Sequence, residues 1–164
     1  MDGSNNNQQA GDKLDDDIQS LLKLRLLWDL INYDINFWIE IAKKKVEELP
    51  EQEDSWNLLG DMLWKLSPHI DSTLLSVESL LPTIQNNKDE GSLKRFYKES
   101  GQVIMQIALV IKVTDTLKQM AKPETPLDAE DVKKLIEDIN CPINSAKFQS
   151  PLHIIQNEMK FRGL

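Results

Sequence analysis

Residues 92–120 read SLKRFYKESGQVIMQIALVIKVTDTLKQM, and apolar side chains recur along them at every third or fourth position. Because an α-helix turns once every 3.6 residues, this spacing places those side chains on one stripe of a helix. The stripe consists of Leu93, Phe96, Tyr97, Val103, Ile104, Ile107, Val110, Ile111, Thr114 and Leu117. A helix with such a stripe must bury it against other elements, so the sequence predicts several long helices packed together.

The first helix is predicted over residues 14–49, before Pro50. Aspartates lie near its start, at 15–17, and lysines lie near its end, at 43–45, which is the charge order that the helix dipole favours. Its apolar stripe is wide and predicts contacts on more than one side. We expect a break or bend near residues 32–36, because Asn and Asp are poor helix formers.

Proline, serine and aspartate mark the remaining boundaries. A second helix is expected from Glu51, and Ser67 followed by Pro68 predicts a kink or an end, with a new segment capped by Ser67. Asp128 predicts the start of a helix over 128–140. The other expected elements are a loop over Gln85–Gly91, a helix over 92–121 and a short last helix opening at Ser150-Pro151.

These segments predict an all-α fold, an antiparallel bundle of about four long helices plus a short C-terminal helix. Residues 1–13 are polar and lack helical periodicity, so we expect a disordered N-terminal tail. Residues 14–164 then form a single helical-bundle domain, which is the usual outcome for a chain of 164 residues.

Composition limits the classes of partner. The formal net charge of −8 argues against nucleic acid or an anionic membrane surface as the main partner, so another protein is expected, and a homo-oligomer is compatible. The chain has no signal-peptide pattern, and no apolar run approaches the roughly 20 residues of a transmembrane helix. With Cys141 as the single cysteine, a cytoplasmic location is expected.

Residues able to support catalysis or metal binding are sparse. His69 and His153 lack the Glu-x-x-His spacing of di-iron bundles, and one cysteine with two histidines at unrelated spacings does not make a zinc site. No glycine-rich phosphate loop is present, and Cys141 has no general base beside it in sequence. We therefore expect a protein that is not an enzyme, with no catalytic residue, no cofactor and no metal.

Four tryptophans lie within the first 64 residues, and none follows. Within each helix the pair is separated by roughly 80° around the axis, so the members of a pair cannot share one narrow seam. Because tryptophan is enriched at the centres of protein interfaces, all four are candidate partner-binding residues; the alternative is that all four belong to the core. The candidates are Trp28, Trp38, Trp56 and Trp64.

A basic cluster near the start of the helix over 92–121 supplies three more candidates. Lys94, Arg95 and Lys98 lie at the end of the helix where the dipole disfavours positive charge. They are therefore candidate partner-binding residues, for an acidic protein surface or a phosphate group. The alternative is that they pair with Glu99, Glu90 or acids on a neighbouring helix.

One short motif is similar to a repeat family. The segment Trp56-Asn57-Leu58-Leu59-Gly60 resembles the opening of a tetratricopeptide repeat, Trp-x-x-Leu-Gly. The similarity ends at Pro68 and no second copy follows, so we assign no family.

The leading functional prediction is a non-catalytic protein–protein interaction module, an adaptor, regulatory or inhibitory subunit that presents a helical face. The first alternative is a self-assembling helical bundle with triggered membrane association, in which the first helix or the helix over 92–121 packs against its own copy. A second is an enzyme or ligand carrier with an internal pocket lined by Met62, Met105, Phe96 or Trp64. A third is a helical subunit of a nucleoprotein complex that uses the basic cluster.

Overall fold

The computed structural model describes residues 3–86, 89–122, 128–139 and 150–164. Every regular element within these ranges is helical, which confirms the predicted all-α class. The elements are α1 (Gly3–Glu48), a single 3₁₀ turn (Pro50–Gln52), α2 (Glu53–Ser79), α3 (Leu81–Asn86), α4 (Glu90–Met120), α5 (Ala129–Ile139) and α6 (Pro151–Arg162).

α1 and α2 pack in opposite directions. The Trp28 indole Nε1 donates a hydrogen bond of 2.6 Å to Asp71 Oδ1, and farther along α1 the Ser67 hydroxyl donates to Asn32 Oδ1 at 2.7 Å. Arg25 forms an ion pair of 2.8 Å with Glu78. As residue numbers rise along α1, the partner numbers fall along α2, which is the antiparallel arrangement expected of a bundle.

α4 packs against α2 and α1, and α6 packs along α4. The Tyr97 hydroxyl donates to Asp17 Oδ2 at 2.7 Å, and farther along both helices the Lys118 ammonium lies 6.0 Å from the centre of the Trp38 ring. α4 therefore runs in the same direction as α1. The Arg162 guanidinium reaches Asp34 at 3.4 Å, so the end of α6 also lies against α1.

The sequence predicts α5 as the fourth bundle helix and α6 as the short additional helix, and the structure shows the reverse. α6 packs along α4 more extensively than α5 does, so α6 supplies the fourth long packed element and α5 is the short additional helix. α5 is anchored by Val132, which is buried, and it is capped by Asp128, whose carboxylate accepts from the Asp131 N–H at 2.9 Å. The predicted start of this helix is confirmed.

One hydrophobic core joins the helices. Trp28, Trp56, Phe96, Leu63 and Leu117 are fully enclosed by their neighbours, and burying each such side chain contributes about 1.5–3 kcal/mol. Most of the buried core side chains belong to α1, α2 and α4, while α6 contributes Ile154 and Ile155.

Four predicted boundaries are corrected. α1 begins at Gly3 rather than near Leu14, so residues 3–13 are helical and not a disordered tail; residues 1 and 2 lie outside the described part. Once a helix is nucleated, each added residue gains a backbone hydrogen bond, so a packed helix can extend beyond its first buried side chain. α1 also continues without a break through residues 32–36.

Pro68 lies inside α2 and does not end it. A proline in a helix interior removes one hydrogen bond and costs about 3 kcal/mol. Leu63, Ile70 and Leu74, on both sides of Pro68, are completely buried on the inner face of α2. Their packing offsets the local cost, and Ser67 bonds to Asn32 of α1 in place of the predicted cap. The predicted loop is also shorter, because Gln85 and Asn86 end α3 while Glu90 and Gly91 begin α4.

Gly60 is the point of close approach between α1 and α2. A Cβ atom built on Gly60 would lie in van der Waals contact with Cβ of Ala42, at 3.4 Å, so alanine would fit and the further atoms of a longer side chain would crowd α1. Gly101 in α4 offers the contrast, because a Cβ atom there meets nothing within 4 Å.

We expect Gly60→Leu to lower the free energy of unfolding by about 1–3 kcal/mol, because it overpacks the contact between α1 and α2. The matched variant Gly101→Ala should raise the same free energy by about 0.5–1 kcal/mol, since alanine favours the helix and finds open space. Urea denaturation followed by circular dichroism measures both. A Gly60→Leu protein as stable as the natural chain would contradict the close approach.

Candidate protein-binding surface

Five large apolar side chains lie in a row on the solvent side of α1. They are between 41% and 86% exposed and are spaced three or four positions apart. The 100° turn per residue places them within about 80° of one another around the helix axis, over about 22 Å of its length. We call them the α1 outer row: Leu22, Leu26, Leu30, Tyr33 and Phe37.

The outer row faces away from the core. The buried residues of the same part of α1, such as Leu27, Ile31 and Ile35, point to the opposite side of the helix. Together the row exposes on the order of 500 Å², which is at the upper end of the largest apolar patches on typical monomers, about 300–600 Å². α1 is therefore apolar on two faces, and the residues that the structure describes cover one of them.

Charged residues border the outer row. Asp15 and Lys44 lie beyond its two ends, on the same side of the helix, and both are exposed. Among the described residues neither takes part in an ion pair. Asp29 borders the middle of the row and lies 3.6 Å from Arg25. Glu40 and Glu47 are also exposed on the side of the helix that carries Lys44, so charges of both signs lie beyond the second end of the row.

Two of the tryptophan candidates belong to the core. Trp28 and Trp56 are completely buried, and their indole N–H groups donate to Asp71 and to Gln52, the latter at 3.1 Å. Buried tryptophans normally find such a hydrogen-bond partner. Neither residue is available to a partner protein in this structure, so their assignment as binding residues is corrected.

The other two tryptophans reach the surface to different extents. Trp64 is 68% exposed and borders a shallow groove beside Ile39 and Ala42. Trp38 is partly buried, and its ring meets the Phe37 ring edge to face with centres 5.4 Å apart. Trp38 therefore adjoins the outer row, whereas Trp64 lies apart from it on α2.

The basic cluster of α4 is partly occupied by contacts within the chain. Arg95 lies 3.4 Å from the Glu99 carboxylate and donates to the Ser76 hydroxyl at 3.0 Å, which agrees with the alternative that it pairs with Glu99. Lys94 and Lys98 are exposed and have no ion pair within the part of the chain that the structure describes. The cluster therefore presents two free lysines rather than three free cations.

An open groove separates α1, α4 and α6. It has a volume of about 470 Å³ and is bordered by Leu21, Leu24, Phe96 and Ile155, with the Asp17–Tyr97 hydrogen bond at its edge. The Ser100 hydroxyl, also on this groove, is buried without a hydrogen-bond partner.

The internal pocket expected from the sequence differs from this groove. Of its four expected lining residues, Phe96 borders the groove, Met105 and Trp64 are exposed, and Met62 packs against the core.

Two titratable groups beside these surfaces have pKa values above their ordinary ones. Burial raises the pKa of Tyr97 from 10.0 to about 12, and its hydrogen bond to Asp17 adds to the effect. Burial also raises the pKa of Asp115, although Lys118 opposes the shift. The described residues contain no group of three or more His, Cys, Asp or Glu side chains placed to hold a metal ion.

Comparisons with protein-family models, curated proteins and solved structures find no match for this chain. None of the described helices combines the length and the hydropathy needed to cross a membrane. The outer row is the largest continuous exposed apolar feature of α1.

The hydrophobic periodicity of α1 does not separate the outer row from the residues that face the core. The 3.6-residue period places Leu22, Leu26, Leu30 and Phe37 in the same wide apolar stripe as Leu21 and Ile18. The width of the stripe was the available signal, since an apolar arc much wider than a single packing face requires a second contact. Tyr33, the most exposed member, carries no such signal because tyrosine is common on surfaces.

We expect Trp28→Phe to lower the free energy of unfolding by about 1–3 kcal/mol, because Asp71 loses a charge-assisted hydrogen bond. Trp64→Phe makes the same chemical change at an exposed site and should alter stability by no more than about 0.5 kcal/mol. Chemical denaturation of both variants measures the difference. Equal effects would contradict the assignment of Trp28 to the core and Trp64 to the surface.

The raised pKa of Tyr97 predicts a loss of stability in alkali. The pKa in the folded chain exceeds its unfolded value, so the stabilising contribution is present below pH 10 and is lost as the pH rises through 12. Ultraviolet titration should show a phenol ionising at about pH 12, and Tyr97→Phe should remove that step. A titration step that persists at this pH in the variant would contradict the assignment.

Proposed function

We propose that this protein is a non-catalytic protein–protein interaction module that binds its partner through the α1 outer row. The observation that carries the proposal is the presence of five large apolar side chains in line on the face of α1 that the bundle leaves uncovered. Continuous exposed apolar patches of this size mark interaction sites, because water contact with them is unfavourable. A regulatory, adaptor or inhibitory role would follow from that binding.

The composition of the row supports a protein partner. Tyr33 and Phe37 are its two most exposed members, and aromatic side chains supply much of the binding energy at protein interfaces. Both belong to a helix that is held rigidly by its other face, so little conformational entropy is lost on binding. The face fits the helix-in-groove or helix-on-helix modes of recognition.

The charges around the row favour a protein over a membrane or nucleic acid. Interfacial membrane helices are rich in Lys and Arg on the polar face, whereas Asp15, Asp29 and Glu40 flank this one. The net charge of −8 also opposes phosphate-rich partners, and Arg95 of the basic cluster already contacts Glu99.

Site-specific photo-cross-linking tests the proposal. A photoreactive phenylalanine analogue placed at Tyr33 or at Phe37 should form a covalent adduct of defined mass with one protein in the cells that express the chain. The same analogue at Leu75, an exposed apolar residue of α2 away from the row, should give no such adduct. Irradiated samples are analysed by denaturing electrophoresis and mass spectrometry.

The proposal fails if the analogue at Tyr33 and at Phe37 yields no more adduct than the analogue at Leu75. It is supported if both row positions give the same adduct and Leu26→Glu abolishes it. Leu26 is half exposed, so the charged variant is expected to fold, and its circular dichroism spectrum checks this.

A further inference from the structure

We propose that the partner of the α1 outer row is a second copy of this chain, bound with its α1 antiparallel to the first. This inference rests on the proposed function, since it names the occupant of the same surface. A two-fold interface must be self-complementary, and the pattern of residues along α1 meets this requirement at four of the five positions of the row.

Four of the five residues of the row are arranged symmetrically about its centre, which lies between Asp29 and Leu30. Leu22 and Phe37 are equally far from that centre, and so are Leu26 and Tyr33. In an antiparallel two-fold dimer, a residue on one side of the centre contacts the residue of the other copy that lies equally far on the other side of the centre. The same contact is repeated with the two copies exchanged. Antiparallel pairing therefore sets Leu22 against Phe37 and Leu26 against Tyr33, whereas the counterpart of Leu30 at the centre is Asp29.

One pair of charges beyond the row is related by the same symmetry and has opposite signs. Asp15 and Lys44 are also equally far from the centre, so antiparallel pairing sets Asp15 of each copy opposite Lys44 of the other. Both are exposed and free of ion pairs within the described residues. Parallel pairing would instead set Asp15 against Asp15 and Lys44 against Lys44, and such like-charged pairs are unfavourable.

Three features oppose association. The two copies of Asp29 approach each other near the two-fold axis, although each lies 3.6 Å from Arg25 of its own chain. Antiparallel pairing also brings Asp12 of one copy near Glu47 of the other, but these residues lie beyond the ends of the interface and remain in water. Each copy carries a net charge of −8, and physiological salt screens such repulsion over about 8 Å.

The area of the interface is sufficient for a weak or moderate dimer. The distance from Asp15 to Lys44 along the helix is about 44 Å. Two outer rows packed together, with the flanking side chains, would bury on the order of 1,000 Å² in total, the size at which specific interfaces begin. Tyr33 and Leu26, which face each other near the centre, are placed where truncation is usually most costly.

Sedimentation equilibrium of the full chain tests the pairing through a charge exchange. Asp15→Lys and Lys44→Asp should each weaken the dimer about tenfold, because each replaces two attractive contacts with two repulsive ones. The double variant, which carries both changes, should restore the natural affinity. Tyr33→Glu should dissociate the dimer, while Leu75→Glu, the matched change at an exposed residue of α2, should not.

Cysteine cross-linking tests the direction of pairing. Chains with Cys141→Ser and either Asp15→Cys or Lys44→Cys are oxidised gently, separately and as a mixture. A covalent dimer that forms only in the mixture supports the antiparallel arrangement. A covalent dimer of Asp15→Cys alone would indicate parallel pairing and overturn the proposal.

The natural chain remaining monomeric at about 100 µM would also overturn the proposal, as would a dimer that Tyr33→Glu leaves intact. Those results would leave the protein-binding function standing if photo-cross-linking from Tyr33 still gave an adduct with a different protein. The mass of the adduct thus distinguishes a partner other than a second copy from the absence of any protein partner.

Discussion

The antiparallel contact between α1 and α2 sets the arrangement of the other helices. Gly60 lets the two backbones approach beside Ala42, and the Trp28–Asp71 and Ser67–Asn32 hydrogen bonds fix their register. Burying these polar groups is tolerated because each one is paired, and each pairing holds in only one alignment of the helices. α4 and α6 then cover the inner sides of the pair, and the outer side of α1 is left to solvent.

Hydrophobic periodicity was sufficient to predict the class and the helices but not their breaks. Pro68 and the segment around Asn32 carry local signals for interruption, and both lie within continuous helices. The Ser67–Asn32 bond joins these two positions across the helix contact, so each unfavourable local choice is supported by the other helix. A single sequence does not reveal such a pairing, because it depends on tertiary alignment.

The candidate surface was partly accessible from the sequence. Leu26 and Leu27 are adjacent and equally apolar, yet one is exposed and the other is completely buried, and periodicity alone does not say which of two apolar faces becomes the core. The tryptophans illustrate the same limit. Trp28 and Trp64 are chemically identical, and only the position of α1 against α2 makes one a core residue and the other a surface residue.

The edge-to-face contact between Phe37 and Trp38 links the outer row to a chromophore. Phe37 is a member of the row, while Trp38 lies beside it, only partly shielded from water and close to the Lys118 ammonium. Any molecule that covers Phe37 changes the polarity and hydration around this indole. The protein thus contains an intrinsic fluorescent reporter at the margin of its exposed face, and occupancy can be followed by emission spectroscopy without a label.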